Sequence, residues 1–210
     1  MKKVSDAVIR RLPKYYRYLI ELEREGVTKI SSGELSEKMG LNASQIRQDF
    51  NCFGGFGQQG FGYHVEVLKN EIQSILNLDK KHNCIIVGMG NIGQALAGYA
   101  NFMNEGFHII ATFDVNEQLV GTTVNGCKIL ALDEMERFVQ ENVVEIGIIC
   151  TPEAHAMEVV ERTRRCGIRA IWNFAPIDIQ LEGVTVENVH LSDSLYTLSY
   201  RLNEQKNDEE

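Results

Sequence analysis

The run Cys84-Ile85-Ile86-Val87-Gly88-Met89-Gly90-Asn91-Ile92-Gly93 constrains this chain more than any other stretch. The apolar segment Ile85 to Val87 predicts a buried strand that ends at Gly88. A helical pattern starts at once with Gln94, Ala95, Leu96 and Ala97 and continues through Tyr99 and Phe102. Strand, glycine turn and helix form the context that gives a G-x-G-x-x-G its meaning. Gly88 is expected to permit the tight turn, Gly90 to let backbone approach a pyrophosphate, and Gly93 to let helix pack on strand. The helix N-terminus then offers free N–H groups and a positive dipole end to phosphates. Gly88, Gly90 and Gly93, with Met89, Asn91 and Ile92 between them, are therefore candidate cofactor contacts.

A glycine turn alone is weak evidence, so the next strand matters. Phe107 to Val115 is a second apolar run containing Asp114, 21 residues past Gly93. That is the place for an acid that bonds the adenosine ribose hydroxyls. Asp114 would repel a 2′-phosphate, and Val115, Asn116 and Glu117 after it include no Arg or Lys to welcome one. NAD(H) is favoured over NADP(H). The competing interpretation is a flexible turn in any α/β protein, with Asp114 as a loop cap.

The 210 residues suit one or two domains. No apolar run approaches the ~20 residues of a membrane span. The start, MKKVSDAVIRRL, lacks the apolar core of a signal peptide. Five scattered cysteines without a CxxC pair suggest neither a disulfide framework nor a metal site. A cytoplasmic location is expected. The net charge of −8 is unevenly spread: residues 1–81 carry +3, with 13 Lys+Arg against 10 Asp+Glu, and the remainder −11. A mildly basic module joined to an acidic sensor fits that split.

Residues 5–25 predict one helix, kinked or restarted at Pro13. Ser31-Ser32-Gly33-Glu34 is a capping box that opens a short helix closed by Gly40, and Asn42 caps a third helix with Gln45 at the capping-box position. Helix, glycine turn, capped helix is the helix-turn-helix layout. Its second helix presents Ala43, Ser44, Gln45, Arg47 and Gln48 near its start, where such helices meet base edges and phosphates. A small helical bundle with polar residues facing water would show the same pattern. Phe53 to Tyr63 (FGGFGQQGFGY) is too aromatic for a flexible linker and predicts a hairpin or wing with Gln58 and Gln59 at its tip. A further helix follows, marked by Val65, Leu68 and Ile72, and leads to a domain boundary after Lys81.

These pieces resemble the Rex family of redox-sensing transcriptional repressors over essentially the whole chain. The matching segments are RRLPKYYRYL, SSGELSEKMGLNASQIRQDF, the FGGFGQQGFGY wing, VGMGNIGQALAGY, ATFDV, and NFAP at Asn173 to Pro176. The resemblance implies a homodimer that binds an inverted-repeat operator in double-stranded DNA, with NAD(H) in its Rossmann domains and NADH releasing the DNA. The implied architecture is a winged helix-turn-helix domain (1–81), a doubly wound parallel Rossmann domain (82–190), and a C-terminal helix and tail (191–210) swapped between protomers. Implied DNA contacts are Ser31, Ser32, Ala43, Ser44, Gln45, Arg47, Gln48, Phe53, Gln58, Gln59 and Tyr63. The implied switch joins Arg17 and Tyr99 to His190, with Asp193 three residues on. Relatives usually carry a basic residue at the positions of Gln48, Gln58 and Gln59. Each lost phosphate contact weakens binding and flattens its salt dependence. An imidazole at His190 makes the switch sensitive to pH near neutrality.

In the C-terminal part, Asp133 is expected to cap a helix through Glu141, and Val144 to Cys150 to form a buried strand. Thr151 and Pro152 at its carboxyl end should face the cofactor, as should Asn173 and Phe174 after the next strand. Ser192 or Asp193 is expected to cap a last helix whose stripe Leu195, Leu198 and Leu202 faces a partner subunit. The tail from Asn207 to Glu210 should be disordered. A dehydrogenase is the competing class, since Thr151-Pro152 and His155 resemble a segment of sugar oxidoreductases. It lacks a lysine to move a proton, and only 34 residues follow Pro176. A third class is a nucleotide-binding module without DNA binding.

Overall fold

The computed structural model describes residues 4–56 and 62–208. The chain divides into two compact units between Lys80 and Lys81.

In the first unit, α1 (Asp6–Arg24) buries Val8, Leu12, Tyr15, Leu19 and Leu22 along one stripe. Pro13 lies inside this single helix and starts no second segment. One backbone donor is lost there, but the buried stripe on both sides holds the turn. A short strand, β1 (Lys29–Ile30), precedes α2 (Ser32–Met39) and α3 (Ala43–Asn51). The capping box at Ser31 forms as expected: its hydroxyl accepts the Glu34 N–H at 3.1 Å, and its own N–H donates to the Glu34 carboxylate at 2.8 Å. Asn42 caps α3 by accepting the Ser44 N–H at 2.7 Å. Gln45 completes no capping box, because its amide turns to Asp49 one helical turn on.

The strand β2 (Tyr63–His64) pairs antiparallel with β1 and leads into α4 (Val65–Ile75). Phe50 of α3 sits at the centre of the core and meets Tyr15, Phe56 and Tyr63 edge-on, at 5.0, 5.7 and 5.1 Å between centroids. Fully buried side chains such as Leu12, Ile46, Phe50 and Leu68 each contribute roughly 1.5–3 kcal/mol relative to exposure. The expected wing tip, Gln58 and Gln59, lies outside the described residues.

The second unit is built on a seven-stranded sheet. Its elements are β3 (His82–Val87), α5 (Asn91–Ala97), α6 (Asn101–Asn104), β4 (Phe107–Asp114), β5 (Thr123–Val124), β6 (Cys127–Ala131), α7 (Met135–Glu141), β7 (Ile146–Ile149), α8 (Glu153–Arg165), β8 (Ala170–Asn173), β9 (Thr185–Asn188) and α9 (Leu191–Asp208). The strand order is β5-β6-β4-β3-β7-β8-β9, parallel except for the β5–β6 pair. The chain runs outward from β3 through β4 to β6, then returns to β7 on the other side. This reversal beside β3 is the switch point where doubly wound sheets bind ligands. Alternate residues of β3 serve the two faces: Ile85 and Val87 pack in one cluster with Phe113, Met135 and Val159, while Cys84 and Ile86 join Ile129 and Ile148 on the other.

Several local expectations are corrected. The helix after the glycine turn does not run through Tyr99. It stops at Gly98, and α6 restarts it at Asn101; a side chain at Gly98 would collide with the Asn125 amide at 2.6 Å. Thr123-Val124 is a strand folded back on Cys127 and Lys128 across Asn125-Gly126, both at positive φ (49° and 83°). Asp133 caps no helix, since it lies inside a 3₁₀ turn (Leu132–Glu134) before α7. The edge strand β9 escaped notice because its sequence, TVEN, is too polar to announce a strand. Ser192 and Asp193 lie in the first turn of α9, which starts at Leu191. Asn207 and Asp208 are helical rather than disordered; Glu209 and Glu210 lie outside the described residues. No described helix is long and apolar enough to cross a membrane.

Candidate functional site

The carboxyl ends of β3, β4, β7 and β8 open into a cleft of about 680 Å³ whose walls include Gly88, Gly90, Ile92, Asp114, Val115, Thr151, Pro152, Phe174 and Pro176. Gly88 turns at φ +97°, and a Cβ there would stand 2.7 Å from the Cys150 carbonyl oxygen. A Cβ at Gly93 would stand 2.0 Å from the Gly88 carbonyl oxygen, so only glycine lets α5 follow β3 this closely. At Gly90 a Cβ would meet nothing within 4 Å. That position faces open space of the kind a phosphate group needs.

Asp114 closes the turn from the next strand. Its carboxylate accepts the Met89 N–H at 2.6 Å and the Asn116 N–H at 2.7 Å. Loop cap and candidate ribose acid are therefore one residue, and each oxygen keeps a further lone pair for a ribose hydroxyl. Met89 itself is fully buried, with its N–H held by Asp114, so it supports the turn and offers no free donor. The Thr151 hydroxyl is buried and has no hydrogen-bond partner among the described residues. Buried polar groups are almost always bonded, so this one awaits a group that enters the cleft. Open space at Gly90, the carboxylate of Asp114 and the orphaned hydroxyl of Thr151 fit a dinucleotide. Cys150, also in the wall, is inert: burial pushes its thiol up to about 12.

Asn173 does not face the cleft. It is fully buried, donates to the Ile177 carbonyl at 2.8 Å and the Asn188 amide oxygen at 2.9 Å, and accepts the Ala175 N–H at 3.0 Å. It braces the loop that presents Phe174 and Pro176. The helix α8 adds His155, Glu158 and Val159 to the wall. The last two went unnoticed in the sequence, although the spacing after Pro152 puts the first turns of α8 over the cleft.

Of the expected switch residues, Tyr99 and His190 each have other partners within the second unit. Tyr99 is half-exposed between α5 and α6, stacked edge-on against Phe102 at 4.7 Å, and its hydroxyl accepts from the Asn101 amide at 3.3 Å. His190 instead pairs with Asp178 through Nε2 at 2.9 Å. That hydrogen bond, with the charges of Asp178 and Asp193, raises the imidazole above its ordinary value. Arg17 is exposed on α1.

In the first unit, Arg47 donates to Ser32 Oγ at 2.9 Å and Ser44 Oγ at 3.0 Å. Three candidate DNA contacts thus share one exposed patch, with Gln48 exposed beside them and Ala43 half-buried. Ser31 is occupied by its cap. Gln45 faces inward, donating to Asp49 at 2.9 Å. Tyr63 is a core residue, and Phe53 packs half-buried against the same core. Sequence reasoning missed Asp49, whose side chain is buried between α1 and α3. Arg11 grips it with two hydrogen bonds at 2.6 and 2.8 Å, and the Tyr15 hydroxyl adds one at 2.7 Å. Burial pushes this carboxyl up, yet the bonds from Arg11, Tyr15 and Gln45 together hold it below the usual carboxylate range. An acid between the core residues Ile46 and Phe50, with Arg and Tyr four apart on α1, was the signal available.

A helix-turn-helix unit joined to a Rossmann unit with a ligand cleft at its switch point defines a class of DNA-binding regulators that carry a nucleotide sensor. A family described as "Putative DNA-binding protein N-terminus" matches residues 3–51, and one described as "CoA binding domain" matches residues 79–177. The redox-sensing transcriptional repressor Rex of Thermoanaerobacter pseudethanolicus is 54% identical over 205 residues, which covers 97% of this chain and 92% of that protein. The Rex protein of Clostridium tetani is 53% identical over 206 residues and 98% of both chains. The crystal structure of RSP in complex with beta-NAD+ and operator DNA superposes with a TM-score of 0.92 at 52% identity, covering 100% of this chain and 97% of RSP. RSP in complex with beta-NADH gives 0.92 at 49% identity, covering 100% and 98%. The chain belongs to the Rex family of redox-sensing transcriptional repressors.

Proposed function

We propose that this protein represses transcription by binding an inverted-repeat operator as a dimer and leaves the DNA when NADH fills its cleft. The observation that carries this reading is the cleft itself: glycine turn, ribose acid and unpartnered Thr151 hydroxyl converge at the switch point of the sheet. Residues 1–81 form the DNA-binding domain, 82–190 the NAD(H) domain, and α9 the dimerisation helix. The described part of α9 supports this, because Leu195, Leu198 and Leu202 are all more than half exposed in the single chain. Ser32, Ser44, Arg47 and Gln48 meet DNA on the exposed patch, and Gln58 and Gln59 meet it at the wing.

NAD(H) lies on Gly88, Gly90, Asn91, Ile92 and Gly93, with Asp114 and Val115 at the adenosine end and Thr151, Pro152 and Phe174 further along. A bound nicotinamide reports its redox state here and is not consumed, so the protein is a sensor and no enzyme. Arg17, Tyr99 and His190 relay the occupied state, with Asp178 as the partner from which His190 is released. The ligand shifts the dimer between DNA-competent and DNA-incompetent geometries only by its differential affinity for the two. A gel shift on a palindromic duplex tests the reading. Salt-sensitive binding to inverted repeats, weakened when the half-sites are moved out of helical phase, is expected. No binding to any duplex at low salt would favour a nucleotide-binding module without DNA binding.

A further inference from the structure

The charge on the cleft wall is not accounted for by the glycine turn and Asp114. Besides the Cys150 thiol, its titratable lining residues are Asp114, His155 and Glu158, and no Lys or Arg joins them among the described residues. Glu158 can be placed along the cleft by its own helix. Arg162 stands one turn further on the same stripe of α8. It bonds the Glu136 carboxylate at 2.7 Å and Asp133 at 3.2 Å; Asp133 follows directly on the cleft residue Leu132, just past the end of β6, and Glu136 lies in the first turn of α7. The strand β6 borders β4 on the side away from β3. The Arg162 end of this stripe is therefore tied to the β6 side of the cleft, the side of Asp114, Val115 and Leu132. This is the adenosine end, because Asp114 is the ribose acid.

Glu158 is also free. Its i+4 partner Arg162 is committed to Glu136 and Asp133, and no hydrogen bond or ion pair occupies the Glu158 carboxylate among the described residues. An exposed carboxylate in this position keeps its field for whatever enters the cleft. We propose that Glu158 is a second specificity residue of the dinucleotide site. With Asp114 it makes the adenosine end doubly anionic, rejects a 2′-phosphate, and so restricts the sensor to the NAD(H) pool. The inference rests on the dinucleotide reading given above. Asp114 would bond the ribose directly, whereas Glu158 would act through charge alone.

Titration of the full-length protein with NADH and with NADPH at low salt tests this, using wild type, Glu158→Gln and Glu158→Lys. Glu158 is exposed and unbonded, so both variants should fold. NADPH affinity should rise about fivefold in E158Q and further in E158K, and in each variant by more than any gain for NADH. The gain should shrink at 0.15 M salt, where the screening length is about 8 Å. NADPH affinity unchanged in both variants while NADH still binds would overturn the role of Glu158 and leave the sensor reading intact. An equal gain for NADH and NADPH would also overturn it, since that is a general field and no discrimination. Failure of wild type to bind NADH at all would remove the dinucleotide reading and this inference together.

Discussion

The Asp114 carboxylate reaches across from the end of β4 to hold the Met89 N–H at 2.6 Å, locking the glycine turn to the next strand. One side chain thus shapes the glycine turn and, in the proposed function, also takes the ribose. Asp114→Ala removes both at once. A hydrogen bond involving a charged group contributes about 1.5–3 kcal/mol, so NADH binding should weaken roughly 10- to 150-fold. Fluorescence titration of NADH measures this. Operator affinity without cofactor should be unchanged, because the residue lies in the second unit.

The Asp49 network predicts a stability effect. Removing one partner of a buried ion pair costs about 3–5 kcal/mol. Arg11 keeps a quarter of its side chain exposed, which places Asp49→Ala at the lower end, about 3 kcal/mol. Urea denaturation followed on the first unit should show the loss, with operator binding reduced because α3 is no longer pinned to α1. The Asp49 pKa is depressed by folding, so its contribution is present above the ordinary carboxylate value near 3.8 and is lost as pH falls through the lower folded value.

His190 titrates in the opposite sense. Its folded pKa is raised by the Asp178 hydrogen bond and by the charges of Asp178 and Asp193. The stabilisation of the start of α9 is therefore complete below about pH 6.5 and fades as pH rises through the raised value. Histidine NMR should find the His190 pKa above 6.5 in wild type and closer to the ordinary value in Asp178→Asn. An unmoved titration in the variant would remove Asp178 as the cause.

Arg47 lies on the exposed patch with Ser32 and Ser44. As a phosphate contact, its replacement by Ala should weaken operator binding and reduce the slope of log K against log salt by about 1 per half-site. Loss of discrimination at one base pair, with the salt slope kept, would make it a base reader instead.

The order of elements was legible because local rules governed it. The glycines, the two caps at Ser31 and Asn42, and the apolar runs of β3, β4 and β7 each act within a few residues. Side-chain destinations were less legible. Gln45, Tyr63 and Asn173 carry groups that suit DNA or cofactor, yet each is claimed by a neighbour: Asp49, the Phe50 ring, and the Ala175–Ile177 loop. Burial decides those cases, and burial depends on tertiary contacts that periodicity does not encode. The reason for a glycine at position 98 was hidden in the same way, since the Asn125 amide that a side chain at Gly98 would meet lies 27 residues away. Asp178 went unseen because only the fold brings it to His190.

The central claim is that cofactor redox state controls DNA binding. The most direct measurement is the fluorescence anisotropy of a labelled inverted-repeat duplex bound to the full-length protein, with NADH or NAD+ added at matched concentrations. The account predicts that NADH releases the duplex while NAD+ leaves it bound. Binding indifferent to both nucleotides, or release by both at equal concentration, would contradict it.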